Sequence, residues 1–250
     1  MLCCSRASLP IRLAFAAVFA QAAGARLVYF ASPSDVLAAG WNLLLNGELV
    51  KNIWVSFWRA IIGFAIGGGI GFVLGLANGL SRSSEQFLDS TLQMMRNVPH
   101  LALIPLVILW FGIDEEAKIF LVALGVFFPI YINTQHGIRT VDTQLVEMGR
   151  TYGMTSMTLF WRVILPGALP SIFVGLRYAL GIMWLALIVA ETIAASSGIG
   201  YMAMQAREFL LVDVVVLSIV IYALFGKLAD SAARLLERLC LSWHPAFQKA

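Results

Sequence analysis

The sequence predicts an all-α polytopic membrane protein with about six transmembrane helices, and three observations predict it. First, 60% of its 250 residues are hydrophobic and 12% charged, with a mean hydropathy of +0.85. A soluble domain carries about a quarter charged residues, and a chain of this length could not hide so much apolar surface from water, so part of its solvent is lipid. Second, residues 60–80 (AIIGFAIGGGIGFVLGLANGL) carry no charge over the ~20 residues that cross a bilayer as a helix. Third, further apolar segments recur at 98–113, 119–138, 169–190 and from 214 into the amphipathic stretch KLADSAARLLERL. Their polar flanks can snorkel or face other protein. The net charge of +3 is small and scattered, which argues against nucleic acid as a partner. Cys3, Cys4 and Cys240 have no metal-ligand spacing, and no metal site is expected.

Taken in order, residues 1–31 hold a first span or a signal-like segment. Arg12, Gln21 and Arg26 make a poor span, while Ala23-Gly24-Ala25 after an apolar run fits a cleavage pattern. Residues 32–52 begin with Pro33 and Asp35 where a helix start favours them and read as an interfacial amphipathic helix outside the membrane. Residues 53–241 form the transmembrane domain and 242–250 a cytoplasmic tail. With the N-terminus inside, the inner segments hold Arg6, Arg12, Arg82, Arg139, Arg150, Arg162, Arg234, Arg238 and Lys249. The outer loops hold only Arg26, Lys51, Lys118 and Arg207. Positive charge stays inside, so both termini and the segment 144–166 are expected in the cytoplasm.

Within the spans, Gly63, Gly67, Gly71, Gly75 and Gly79 recur every fourth residue and share one helix face. Such a face admits another backbone closely, from the same chain or from a second subunit. Arg96 and His100 flank Pro99, with Pro105 beyond. Prolines free carbonyls that need protein or water partners, and ionisable groups at membrane depth are candidates for a translocation path, unless Arg96 only snorkels to headgroups and His100 packs neutral. Asn133 follows Pro129 and joins the candidates, as does Trp184, seven residues after Arg177 on one face, although a tryptophan so placed is more often core than ligand contact. Gln135 and His136 read as interfacial. Glu191 reads most simply as interfacial too, with an ion-pair gate as the alternative.

No phosphate-cradling loop is present: before Gly226-Lys227 stands Ile221 where the first glycine belongs, with Leu228 in place of the hydroxyl. There is no His-Glu-x-x-His or Gly-x-Ser-x-Gly either, so if the protein performs work, the energy comes from elsewhere. The polar segment 144–166 predicts a helix–turn–helix knob. Glu147 and Arg150 share a face, Gly153 permits a left-handed turn, Thr155 or Ser156 caps a second helix, and Pro166 ends it. Its apolar and aromatic residues, rimmed by charge, suit a docking surface.

At these residues a resemblance appears. Glu147, Gly153 and Leu165-Pro166 resemble the EAA loop of ABC importer permeases, with Gly149 where that family prefers alanine. A helix-interior glycine costs about 1 kcal/mol against alanine, which predicts a looser coupling helix. From about Ser32 onward, RNVPHLALIPLVILWFGIDE, FPIYINTQHGIR, VILPGALPSI and ETIAASSGIGYMA resemble permeases of the nitrate/sulfonate/taurine importer group, the aliphatic sulfonate subgroup above all. The resemblance implies a type I (MetI-like) importer permease fold and a place in the bacterial inner membrane. It also implies a second copy of the chain, two cytoplasmic ATPase subunits that bind ATP and Mg, and a periplasmic sulfonate-binding protein. The chain would be a transport subunit, not an enzyme, with no cofactor of its own. Glu147, Gly149, Gly153, Leu165 and Pro166 would couple it to the ATPase.

Overall fold

A computed structural model describes residues 31–243, and among these every regular element is helical. Helix α1, Pro33–Leu45, starts on a reciprocal cap: the Ser32 hydroxyl accepts from the Asp35 amide while the Asp35 carboxylate accepts from the Ser32 amide. Gly47, at φ +74°, turns the chain into α2, Glu48–Leu80. This helix begins well before the uncharged stretch 60–80 and takes Arg59 into its length. Arg59 does not break it because its charge is paired inside the protein, as described below. Helix α3, Arg82–Arg96, is followed by a short 3-10 turn at His100–Leu103 and by α4, Ile104–Phe111, with a 79° bend between the two arms. Helix α5 is Glu115–Arg139, with Pro129 in its interior. Helices α6 (Thr143–Thr151) and α7 (Ser156–Leu159) form a hairpin, and a π turn at Phe160–Ile164 leads into α8, Leu165–Ala194. Helices α9 (Ile199–Glu208) and α10 (Val212–Cys240) complete the described chain.

Among the described residues, four helices are long and apolar enough to span a membrane: α2, α5, the run Ser156–Ile193 and α10. The bent pair α3–α4 passes the same test only when its two arms are taken together, as a broken span or a re-entrant loop. The first span expected within 1–31 lies outside the described residues, as does most of the 242–250 tail. The segment 98–113 is therefore one arm of a bent pair; the other arm is the polar α3, which hydropathy alone does not mark.

Helices α2 and α5 lie side by side along their lengths, and the glycine face is the reason. A Cβ on Gly67 would stand 2.0 Å from the Ala123 carbonyl oxygen, and one on Gly71 would stand 2.6 Å from that of Phe127. Gly63 meets Val122, Gly75 meets Thr134 and Gly79 meets Ile138. The whole face is thus filled by α5 of the same chain, and a second subunit cannot occupy it. On the other side of α5, α8 closes the core, with Val122, Val126, Ala179, Met183, Leu187 and Ile199 buried together. Helix α10 adds Tyr222 and Phe225, the latter stacked 5.1 Å from Trp184.

Paired substitutions test this packing. Gly67→Ala should lower the melting temperature of the purified protein, since overpacking against backbone costs about 1–3 kcal/mol. Gly69→Ala has no atom within 4 Å of its new Cβ and should raise stability by the helix-propensity gain of up to about 1 kcal/mol.

Candidate functional site

The bend between α3 and α4 creates the first polar site. Helix α3 runs beside the second half of α5: Arg139 pairs with Glu85, and Tyr131 and Gln135 donate to Asp89 at 3.3 and 3.4 Å. One helical turn at a time, this register carries Arg96 to Phe128 and Ile132, beside the middle of α5 rather than at its end. There Arg96, His100, Gly125, Pro129 and Asn133 line a cleft of about 320 Å³ that Tyr178 and Ile182 of α8 close. Among the described residues Arg96 has no ion pair. His100 Nε2 is buried without a hydrogen-bond partner, an arrangement that costs free energy unless something else supplies an acceptor or donor. The Asn133 side-chain amide donates to the Pro129 carbonyl (2.8 Å), and the Asn133 backbone carbonyl accepts from the Ser171 hydroxyl (2.8 Å). A cation, an unsatisfied imidazole and an aromatic wall can hold a small organic anion without trapping it.

The structure therefore brings Arg96, His100 and Asn133 together and excludes Trp184. Tyr178 and Ile182 face the cleft, and two further residues at ~100° each turn the side chain of position 184 to the opposite side of α8. Trp184 packs instead in the core against Tyr222 and Phe225, and Arg177 pairs with Glu237 of α10. Tyr178 is the lining residue that sequence reasoning missed. Its signal was Gly175, where α8 approaches α5 so closely that a Cβ would meet Asn133 Cβ at 2.6 Å.

The second site is the α6–α7 hairpin. Asp142 caps α6 through the Gln144 amide (2.8 Å), and Thr155 caps α7 through the Thr158 amide (3.3 Å). Between them Gly153 stands at φ +72°. Glu147 and Arg150 are exposed, beside exposed Leu145, Met148, Tyr152, Met157 and Trp161. Two sequence expectations change here. Gly149 is not a loose point: it is buried, and a Cβ there would stand 2.6 Å from Leu159 Cδ1, so its missing side chain seats α6 on α7. Pro166 does not end the second helix. Ile164 and Leu165 keep helical dihedrals, and the Leu165 amide reaches back to the Phe160 carbonyl. This wider π turn makes room for the proline ring, which would clash with the carbonyl four residues back in a regular helix. The result is one continuous helix, Ser156–Ile193, 38 residues long.

A third polar cluster sits at the opposite end of the helices, joining residues distant in sequence. Glu191 is 1% exposed, not interfacial. It accepts from Ser56 Oγ (2.7 Å), Arg59 Nη1 (2.8 Å), the Gly200 amide (2.9 Å) and the Tyr222 hydroxyl (2.9 Å). Arg59 also donates to both Glu115 oxygens (2.5 and 2.6 Å) and to the carbonyl and hydroxyl of Ser197 (2.6 and 3.0 Å). Lys118, expected in an outer loop, is buried and pairs with Glu115 at 3.1 Å. Gly198, at φ +116°, leaves no room for a side chain: a Cβ would stand 2.4 Å from a Glu191 oxygen.

Residues 67–240 match the family described as the binding-protein-dependent transport system inner membrane component. The chain belongs to this family. It is 67% identical over 216 residues to the aliphatic sulfonates transport permease protein SsuC of Escherichia coli, covering 86% of this chain and 82% of that one. It is 48% identical to the SsuC protein of Bacillus subtilis (87% and 79% covered), and 36% identical to the taurine transport system permease protein TauC of E. coli (84% and 76% covered). In fold it is similar to a chain of the inward-facing MetNI methionine ABC transporter, with a TM-score of 0.56 at 20% identity, covering 76% of this chain and 97% of that one. The all-α, MetI-like fold of an ABC importer permease is thus established, in a multi-pass inner-membrane protein. As a family member it is a transport component rather than an enzyme, and it works with ATPase and binding-protein partners.

The buried cluster generates a stability prediction. Arg59→Met should cost about 3–5 kcal/mol, because it leaves Glu191 buried without its counter-charge. The measurement is a melting temperature of the purified chain in detergent, where a value equal to wild type would contradict the pairing seen here.

Proposed function

We propose that the chain is the membrane-spanning subunit of an ATP-driven importer of aliphatic sulfonates. The observation that carries this reading is the 67% identity, over 86% of the chain, to a relative named for aliphatic sulfonate transport, well above the 36% to a taurine permease. The cleft fits the chemistry. A sulfonate is a monoanion with three acceptor oxygens and an alkyl tail, and no proton to exchange near neutral pH. Arg96 supplies a positive charge with no ion pair among the described residues, His100 and Asn133 polar contacts, and Phe128, Tyr178 and Ile182 an apolar wall. An ion on a transit path must bind well enough to enter and weakly enough to leave. One guanidinium without a second cation beside it meets that requirement.

In this reading the α6–α7 hairpin lies in the cytoplasm, with both termini on the same side, as the distribution of arginine favours. Two copies of the chain meet two ATPase subunits, which bind ATP and Mg, through this hairpin. Exposed Glu147 and the apolar residues beside it make the contact, Gly149 and Gly153 shape it, and Leu165-Pro166 join it to the span. A periplasmic binding protein delivers the sulfonate to the other face. ATP shifts the permease between its two states only by binding one of them better, so the hairpin must report its displacement faithfully to the spans.

Two measurements test the assignment. In proteoliposomes with the ATPase and the binding protein, Arg96→Gln should lower sulfonate uptake at least tenfold and His100→Ala about threefold, each a loss of order 1 kcal/mol. Uptake unchanged in both variants removes the cleft from the path. In co-purification with the ATPase, Glu147→Ala and Gly153→Pro should each deplete the bound ATPase, and full retention in both would refute the docking role of the hairpin.

A further inference from the structure

The Arg59 cluster has no place in ATPase docking or in the anion cleft, yet it holds more buried charge than any other place among the described residues. Its geometry is complete. A guanidinium has five N–H donors, and five hydrogen bonds leave Arg59: two to Glu115, one to Glu191 and two to Ser197. Those acceptors belong to three separate pieces of chain, the first turn of α5, the last turn of α8, and the loop between α8 and α9. Arg59 itself stands on α2. The start of α9 is tied in from the other side, since the Ile199 amide donates to Ser56 (2.9 Å) and the Gly198 amide to Asn52 (2.9 Å), both on α2. The Gly200 amide donates to Glu191, so the carboxylate sits at the N-terminus of α9, where its charge is favoured.

The second observation is at the other end of the same helix. The run Ser156–Ile193 reaches unbroken from the hairpin to the turn containing Glu191, a distance of about 57 Å at about 1.5 Å per residue. Helix α5 enters the hairpin from its own far end, and its first residue, Glu115, is the other carboxylate on Arg59. Both helices that emerge from the hairpin therefore terminate on one guanidinium. Along the way α2 cannot slide on α5, because Gly67 and Gly71 meet its backbone.

We propose that Arg59 is a positioning residue for transport. It joins α2, α5, α8 and the start of α9 into one moving body, so that a displacement applied at the hairpin arrives undiminished at the face where the binding protein delivers its cargo. The cluster is a fixed joint, not an ion-pair gate that opens in each cycle. Opening it would expose Glu191 and Arg59 to an uncompensated buried setting, and cores of this kind are bistable or rigid rather than gradually deformable. This inference rests on the hairpin being the ATPase contact.

The conservative variant separates a joint from a plain structural support. Arg59→Lys keeps the charge and loses the fork that spans Glu115 and Ser197; Glu115→Gln weakens the partly exposed arm alone. In the reconstituted complex with ATPase and binding protein, each variant should keep ATPase co-purification and unstimulated ATP hydrolysis within twofold of wild type. Each should lose at least fivefold in the stimulation of hydrolysis by sulfonate-loaded binding protein. Wild-type stimulation in both variants overturns the proposal, and so does a proportional fall of basal and stimulated rates. Spin labels at exposed positions 116 and 207, with labelled chain diluted in unlabelled chain, read the joint directly. Their distance within one chain should stay constant between nucleotide-free and ATP-trapped complexes and should broaden in Arg59→Lys. A wild-type change larger than the ~2 Å of ordinary helix shifts shows a gate instead, and overturns it. Failure of the ATPase to co-purify with wild-type chain would refute the docking assignment rather than the joint.

Discussion

In lipid, a backbone amide or a charge has no water to turn to, and each must find its partner inside the protein. That constraint governs where this chain can bend and where it cannot. Helix α2 crosses as a single rod and carries Arg59 within it only because five acceptor contacts surround the guanidinium. Where the chain breaks instead, between α3 and α4, Arg96, Val98 and His100 around the bend line a cleft. The same rule sorts the two polar clusters. One is saturated; the other, with Arg96 and His100 Nε2 unpartnered among the described residues, is open to a ligand.

The glycine face of α2 sets the scale for both. With side chains there, α2 and α5 would stand a conventional helix–helix distance apart, and Arg59 could not reach Glu115 and Glu191 at once. Close approach also gives α5 a firm wall on one side while α8 packs on the other through Gly175 and Asn133. Pro129, in the interior of α5, then faces the cleft rather than disturbing the α2 contact. Rigidity at the Arg59 end and an open cleft midway are compatible because they use different faces of the same helix.

The hairpin shows how a small sequence departure can be misread. Gly149 in place of alanine suggests a softer helix when only propensity is weighed, since propensity describes an isolated segment. In the folded chain the missing Cβ is the space that Leu159 occupies. Pro166 misleads in the same manner: the rule that proline ends a helix assumes α geometry, and a π turn of one added residue lifts the carbonyl out of the ring's way. Continuity from Ser156 to Ile193 follows, and with it a direct mechanical line from the hairpin to Glu191.

Composition and periodicity by themselves determined the membrane class, the spans at α2, α5, α8 and α10, the glycine face, and the capped hairpin with its turn at Gly153. These are local signals: an apolar run of bilayer length, a repeat of four, a cap, a residue free to take positive φ. The polar arm α3 escapes hydropathy because it carries charge, and its Glu85 and Asp89 are answered by Arg139, Tyr131 and Gln135 on another helix. Arg59 and Glu191 lie 132 residues apart, and no spacing rule joins residues so distant, so the sequence does not mark Arg59 and Glu191 reads as interfacial. Trp184 shares a face with Arg177, which leaves both path and core open to it; which face of α8 meets the cleft is decided only where α5 and α10 pack on its two sides. Burial and partnership are properties of the assembled helices, and only the tertiary structure could decide them.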